Sequence, residues 1–173
     1  KKSLDTFRIT GGEPLLSPST FKVLEKLIDE PEKKLTLAIN SNLGAPLKVM
    51  ERFLTLGEKI VSLNAVKKLD IYTSIDAYGE RAEYIRNGLK ADYFWNNVED
   101  VLSRMQNSQV TIMSTFNALS ITSYIELLKK IQLLNFKHRN NDRILPVVLD
   151  ISYLRYPDYQ TVQVLPESYV AKM

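Results

Sequence analysis

The sequence predicts an α/β fold with about five parallel strands alternating with helices, either an open sheet or an incomplete (β/α) barrel of the TIM type. Three observations carry this. Short runs rich in β-branched and aromatic residues alternate with longer stretches whose apolar residues recur at helical spacing. A single helical stretch separates each pair of strands, which implies parallel pairing through right-handed crossovers. The units recur every roughly 30 to 40 residues, close to one-eighth of a (β/α)₈ barrel. Periodicity does not separate the open sheet from the partial barrel. In either, a ligand site belongs at the carboxyl ends of the strands.

Taken in order, Thr6–Thr10 is the first strand. Ser17 and Pro18 read as N-cap and first residue of a helix with Phe21, Leu24, Leu27 and Ile28 on one face, closed by Asp29-Glu30-Pro31. Leu35–Asn40 is a second, largely apolar strand, as expected where both faces are covered. Pro46 starts a helix with Leu47, Met50, Phe53, Leu54, Ile60 and Val61 inward. Leu69–Asp76 is the third strand. Tyr78–Asp92 reads as a structured loop with a helical turn, broken at Asn87-Gly88, and Phe94–Met105 as the next helix. Gln109–Phe116 is the fourth strand, and Ser123 with Glu126 forms a capping box opening a helix that buries Tyr124, Leu127, Leu128, Ile131 and Leu134. Residues 137–143 form a polar loop and Leu145–Leu154 the fifth strand. Gln160–Leu165 is extended, and Pro166-Glu167-Ser168 opens a last helix.

The 173 residues suffice for one domain with a substantial core, over residues 1–173, and 45% hydrophobic with 25% charged residues is an ordinary globular balance. A formal net charge of +3, spread over pairs such as Lys33-Lys34 and Lys129-Lys130 beside acids, does not argue for nucleic acid. No run approaches the roughly 18 apolar residues of a membrane span. Lys1–Asp5 carries no secretory apolar run, and a cytoplasmic location is expected. The chain opens on lysine and enters a strand by Thr6, which reads as a piece of a longer protein. With no cysteine and no histidine cluster, these residues show neither a disulfide nor a protein-built metal site.

The strand ends are polar one after another. They deliver Thr10, Gly11, Gly12 and Glu13; then Asn40, Ser41 and Asn42; then Ser74 and Asp76; then Ser114, Thr115 and Asn117; then Ser152, Tyr153 and Arg155. Loops favour such residues one at a time, but five successive ends point to a polar ligand site on one rim. Two glycines followed by Glu13 place a carboxylate beside accessible backbone, a combination suited to an ammonium-bearing ligand.

Thr10-Gly11-Gly12-Glu13-Pro14 resembles the Gly-Gly-Glu-Pro motif of radical S-adenosylmethionine enzymes. Ser74-Ile75-Asp76-Ala77-Tyr78-Gly79-Glu80-Arg81, continued by Glu83-Tyr84-Ile85-Arg86 and Asn87-Gly88, resembles the fourth-strand segment of the branch with SPASM or twitch extensions. Asn40-Ser41-Asn42 is similar to that branch's third-strand motif. The resemblance spans residues 5–165 and implies that the strands are the second to sixth of a partial (β/α)₆ barrel, cut at both ends. It implies that Thr10, Gly11, Gly12 and Glu13 hold the methionine ammonium of S-adenosylmethionine, and that Ser74 and Asp76 meet its ribose. Arg86, or failing it Arg81, would pair with its carboxylate, and Asn42 and Asn117 would contact ribose or substrate. The intact parent would be an oxidoreductase-type enzyme using S-adenosylmethionine and a 4Fe–4S cluster to generate a 5′-deoxyadenosyl radical. That radical would abstract hydrogen from a peptide or protein substrate. The cluster's Cys-x-x-x-Cys-x-x-Cys loop is not in these residues, so the chain alone is expected to be inactive. Ala77 stands where the family has glycine.

The other class weighed is a small-ligand or nucleotide-binding α/β module without catalysis, although no Gly-x-Gly-x-x-Gly turn is present. Tyr153, Tyr156 and Tyr159 with Arg155 offer a protein-contact surface, and Glu13 with Asp76 a carboxylate pair. The one histidine, His138, reads as solvated and Trp95 as core. Exposed edges of an incomplete barrel predict self-association.

Overall fold

A computed structural model describes residues 4–140 and 143–171. Lys1–Ser3 of the N-terminal reading, and 141 and 142 of the polar loop, lie outside the described residues. The elements are β1 (Thr6–Ile9), α1 (Pro18–Asp29), β2 (Glu32–Asn40), α2 (Leu47–Ser62), β3 (Val66–Ser74), α3 (Glu80–Ile85), α4 (Ala91–Arg104), β4 (Ser108–Phe116), α5 (Ile121–His138), β5 (Val147–Tyr153) and α6 (Glu167–Val170). The strands form one sheet in the order β1-β2-β3-β4-β5, every pair parallel, and the sheet does not close. This is the open, incomplete barrel pattern.

Side-chain alternation decides what the sheet's two faces do. Leu37, Ile39, Leu69, Ile71, Val110 and Ile112 point toward the helices and are buried. α1, α2, α4 and α5 pack side by side over them, with Phe53, Phe94, Leu24 and Leu127 completing one core. On the opposite face Arg8, Thr36, Tyr72, Met113 and Ser152 are polar or only half-buried, while the small Ala38 opposite Arg8 is buried. There the Arg8 guanidinium lies 4.4 Å from the Tyr72 ring centre, and Lys68 pairs with Asp70 at 2.9 Å. Among the described residues no helix is long and apolar enough to cross a membrane.

Several element ends differ from the sequence reading. β3 stops at Ser74, leaving Asp76 in the buried turn beyond it. α5 starts at Ile121, so Ser123 lies inside the helix, where its Oγ accepts from the Tyr78 N–H at 3.2 Å instead of capping. Ser17 sits at the N-cap of α1 without a side-chain cap bond. Leu47 and Leu128 are exposed, not inward. Gln160–Leu165 coils into 3₁₀ turns rather than extending. His138 ends α5 half-buried, and its carbonyl accepts from Arg143, so it is not a solvated loop residue. Trp95 is core, packed edge-on against Phe94.

Candidate functional site

The rim begins where β1 ends. Gly11 and Gly12 take φ values of 96° and 50°, the left-handed region that suits glycine. A Cβ on either would meet nothing within 4 Å, so the backbone conformation, not crowding, requires them. The chain then turns through Glu13 into a 3₁₀ turn at Pro14–Leu16, and the Glu13 carboxylate accepts the Leu15 N–H at 3.1 Å. It also reaches the end of β2. Ser41 Oγ donates to Oε1 at 2.7 Å and the Asn42 N–H to Oε2 at 2.8 Å. Glu13 thereby ties the first two strand ends together.

A second carboxylate ties the next two. Asp76 is 4% exposed; Oδ1 accepts the Thr115 N–H at 2.7 Å, from the end of β4. Arg86 grips the same carboxylate with two bonds, Nε to Oδ2 at 2.8 Å and Nη2 to Oδ1 at 3.2 Å. The partner of Arg86 is therefore Asp76. Glu83 instead caps α4 by accepting the Ala91 N–H at 2.8 Å.

Between these two clamps lies a cleft of about 410 Å³ lined by Asn42, Ser74, Arg86, Lys90, Tyr93 and Phe94, among others. Its lining holds two cations and no carboxylate. Asn42 is fixed there by its own turn, Oδ1 accepting the Gly44 N–H at 2.7 Å, and Tyr93 donates to the Ala45 carbonyl at 2.7 Å. A neighbouring cleft of about 390 Å³ is lined by Arg8, Thr10, Gly11, Glu13, Ser17 and Thr20, among others. Asn42, Ser74 and Arg86 thus share one cleft, with Asp76 bonded to Arg86. Thr10, Gly11 and Glu13 line the other, and the Glu13–Asn42 bond joins the two.

Two candidates stand elsewhere. Asn117 is buried and its side chain serves its own loop: Nδ2 donates to the Thr115 carbonyl at 2.8 Å and Oδ1 accepts the Leu119 N–H at 2.9 Å. Arg81 is exposed on α3 and lines neither cleft. Lys90 and Tyr93 also line the cleft, outside the strand ends that the sequence points to. The Asn87-Gly88 break that precedes them was the available signal, because a chain reversal there brings the start of α4 back to the rim. Below the rim, burial pushes the Tyr124 phenol up, and its OH donates to Ser114 at 3.2 Å.

The residues present do not fit an iron–sulfur cluster. The chain has no cysteine, and among the described residues no group of three or more His, Cys, Asp or Glu side chains is placed to hold a metal. Comparison with protein-family models, with curated proteins and with solved structures finds no match for this chain.

Proposed function

We propose that the chain binds S-adenosylmethionine at the carboxyl edge of its half-barrel, as part of the core domain of a radical S-adenosylmethionine enzyme. The observation that carries this reading is the joining of strand ends in pairs, β1 to β2 through Glu13 with Asn42 and β3 to β4 through Asp76 with Thr115, beside a cleft that holds Ser74 and Arg86. Its volume of about 410 Å³ falls in the roughly 300–1,000 Å³ range of small-molecule sites. In this reading the backbone at Thr10–Gly12 meets the ammonium group. Ser74 and Asn42 offer a hydroxyl and an amide to the ribose. Arg86 has donors left beyond the two that Asp76 takes, and these meet the carboxylate. S-adenosylmethionine supplies the adenosyl group; the protein's part is to bind and orient it. No radical-generating step is assigned to these residues, since none of them can hold the cluster. A peptide or protein substrate and a cytoplasmic setting belong to the same proposal.

One observation favours a second reading, a non-catalytic module for a small anion or nucleotide: Arg86 and Lys90 face the cleft with no carboxylate in its lining. Calorimetry distinguishes the two. S-adenosylmethionine should bind the wild type and bind Ser74→Ala and Arg86→Ala at least about tenfold more weakly, the loss of one hydrogen bond of roughly 1.5 kcal/mol each. A mononucleotide binding tightly while S-adenosylmethionine gives no heat supports the second reading. Unchanged affinity in both variants sinks the assignment of the cleft.

A further inference from the structure

We propose that the free edge of β5 is a homodimer surface, on which a second copy of the chain adds its own β5 antiparallel about a two-fold axis at Ile151. The inference stands apart from the ligand reading.

The hydrogen-bond pattern shows which groups are available. The Pro146 carbonyl accepts the Val110 N–H and the Leu154 N–H donates to the Phe116 carbonyl, so even-numbered residues of β5 turn their backbone toward β4. Odd-numbered residues turn theirs outward, where among the described residues no further strand lies. At Val147 the Asn135 side chain occupies both outward groups, donating to the carbonyl at 2.9 Å and accepting the N–H at 2.8 Å. Leu149, Ile151 and Tyr153 have no such cover from the sheet. The strand also lacks the usual defences of an edge: Val147–Tyr153 contains no lysine, no proline and no glycine.

The same stretch is complementary to itself. With the axis at Ile151, Leu149 stands opposite Tyr153 of the other copy, and Asp150 opposite Ser152. The single charge of the strand therefore never faces its like. Ile151 is 45% and Tyr153 67% exposed on the side the helices cover. Beside them α5 carries a second apolar stripe, Ile125, Leu128, Leu133 and Phe136, turned away from the core. An added strand would bring its own α5 against that stripe. The accessible surface of 10724 Å² exceeds by roughly 2,000 Å² the value of about 8,700 Å² that size scaling gives for this chain, more than the roughly 800 Å² per partner of a standard dimer.

Sedimentation of the full chain over a concentration series should show a monomer–dimer equilibrium. Ile151→Lys should shift it to monomer with the circular dichroism unchanged, while Thr6→Lys on the β1 edge leaves it dimeric. Because the chain has no cysteine, single cysteines report the register without background. Ile151→Cys should oxidise to a covalent dimer, since paired Cα atoms there lie about 5.5 Å apart, within disulfide reach. Leu149→Cys should not, as the two copies of that residue would lie roughly 13 Å apart. A monomer at every concentration, species growing beyond a dimer, or equal cross-linking at both positions would overturn the proposal.

Discussion

Glu13 and Asp76 show how an acid at a strand end can hold a sheet together. Each accepts from the backbone of a different strand end, Asn42 for Glu13 and Thr115 for Asp76, and each takes a side-chain donor as well. Asp76→Ala should therefore cost roughly 2–3 kcal/mol in urea unfolding, because the Thr115 amide and the Arg86 guanidinium lose their acceptor together. The 35% exposure of Arg86 keeps the cost at the lower end for an ion pair. A loss under about 0.5 kcal/mol would show that the pair carries no structural weight. That Glu13 and Asp76 matter was legible from their neighbours in sequence. Their partners were not, since Ser41 and Thr115 lie 28 and 39 residues away, and only strand packing brings them near. Asn117 shows the converse: a polar strand end was visible, but nothing local reveals that its amide folds back on its own loop.

Among the elements, the approach of α2 to Met105, just past the end of α4, is set by one missing side chain. A Cβ at Gly57 would sit 2.2 Å from Met105 Cε and 2.7 Å from its Sδ. Because those atoms end a flexible methionine side chain, Gly57→Ala should cost at most about 1 kcal/mol, the shift of buried Met105 being offset in part by the better helix propensity of alanine. Combined with Met105→Ala it should cost less than the sum of the two single changes, since the shortened side chain removes the clash and the new Cβ takes up part of the space left behind. Additive losses in denaturant titration would place the strain elsewhere. The strands and long helices were legible because apolar alternation and 3.6-residue periodicity follow directly from burial on one side or both. Helix starts were less so. Ser123 and Glu126 match a capping box, yet a buried Ser120 hydroxyl, accepting the Asn117 N–H at 3.0 Å and donating to the Asn117 carbonyl at 2.8 Å, lets α5 begin earlier. The 3₁₀ turns after β5 carry no periodic signal, being too short to show one.

For the molecule as a whole, stability should depend on pH through its single histidine. Burial, with Lys137 and Arg143 nearby, holds the His138 imidazole below its ordinary range. The folded state thus favours the neutral ring, while the unfolded chain protonates near the ordinary value of about 6.5. Stability from this group is complete above that pH and falls as pH drops through it toward the lower folded value. His138→Gln should flatten the decline seen in urea midpoints from about pH 7 to pH 5. Parallel curves for the two proteins would exclude His138 as its source. Helices on one face leave the other sheet face largely polar, and among the described residues no further strand pairs with either edge.

The unbroken order of the strands has a further effect on how such a molecule can change. Each β/α module touches chiefly the modules before and after it, as the links of a chain do. A module appended at either border would leave all existing neighbours in place. One inserted between the second and third strands would part Ile39 from Ile71 and divide the core. Growth is therefore cheap at the margins and costly at the centre.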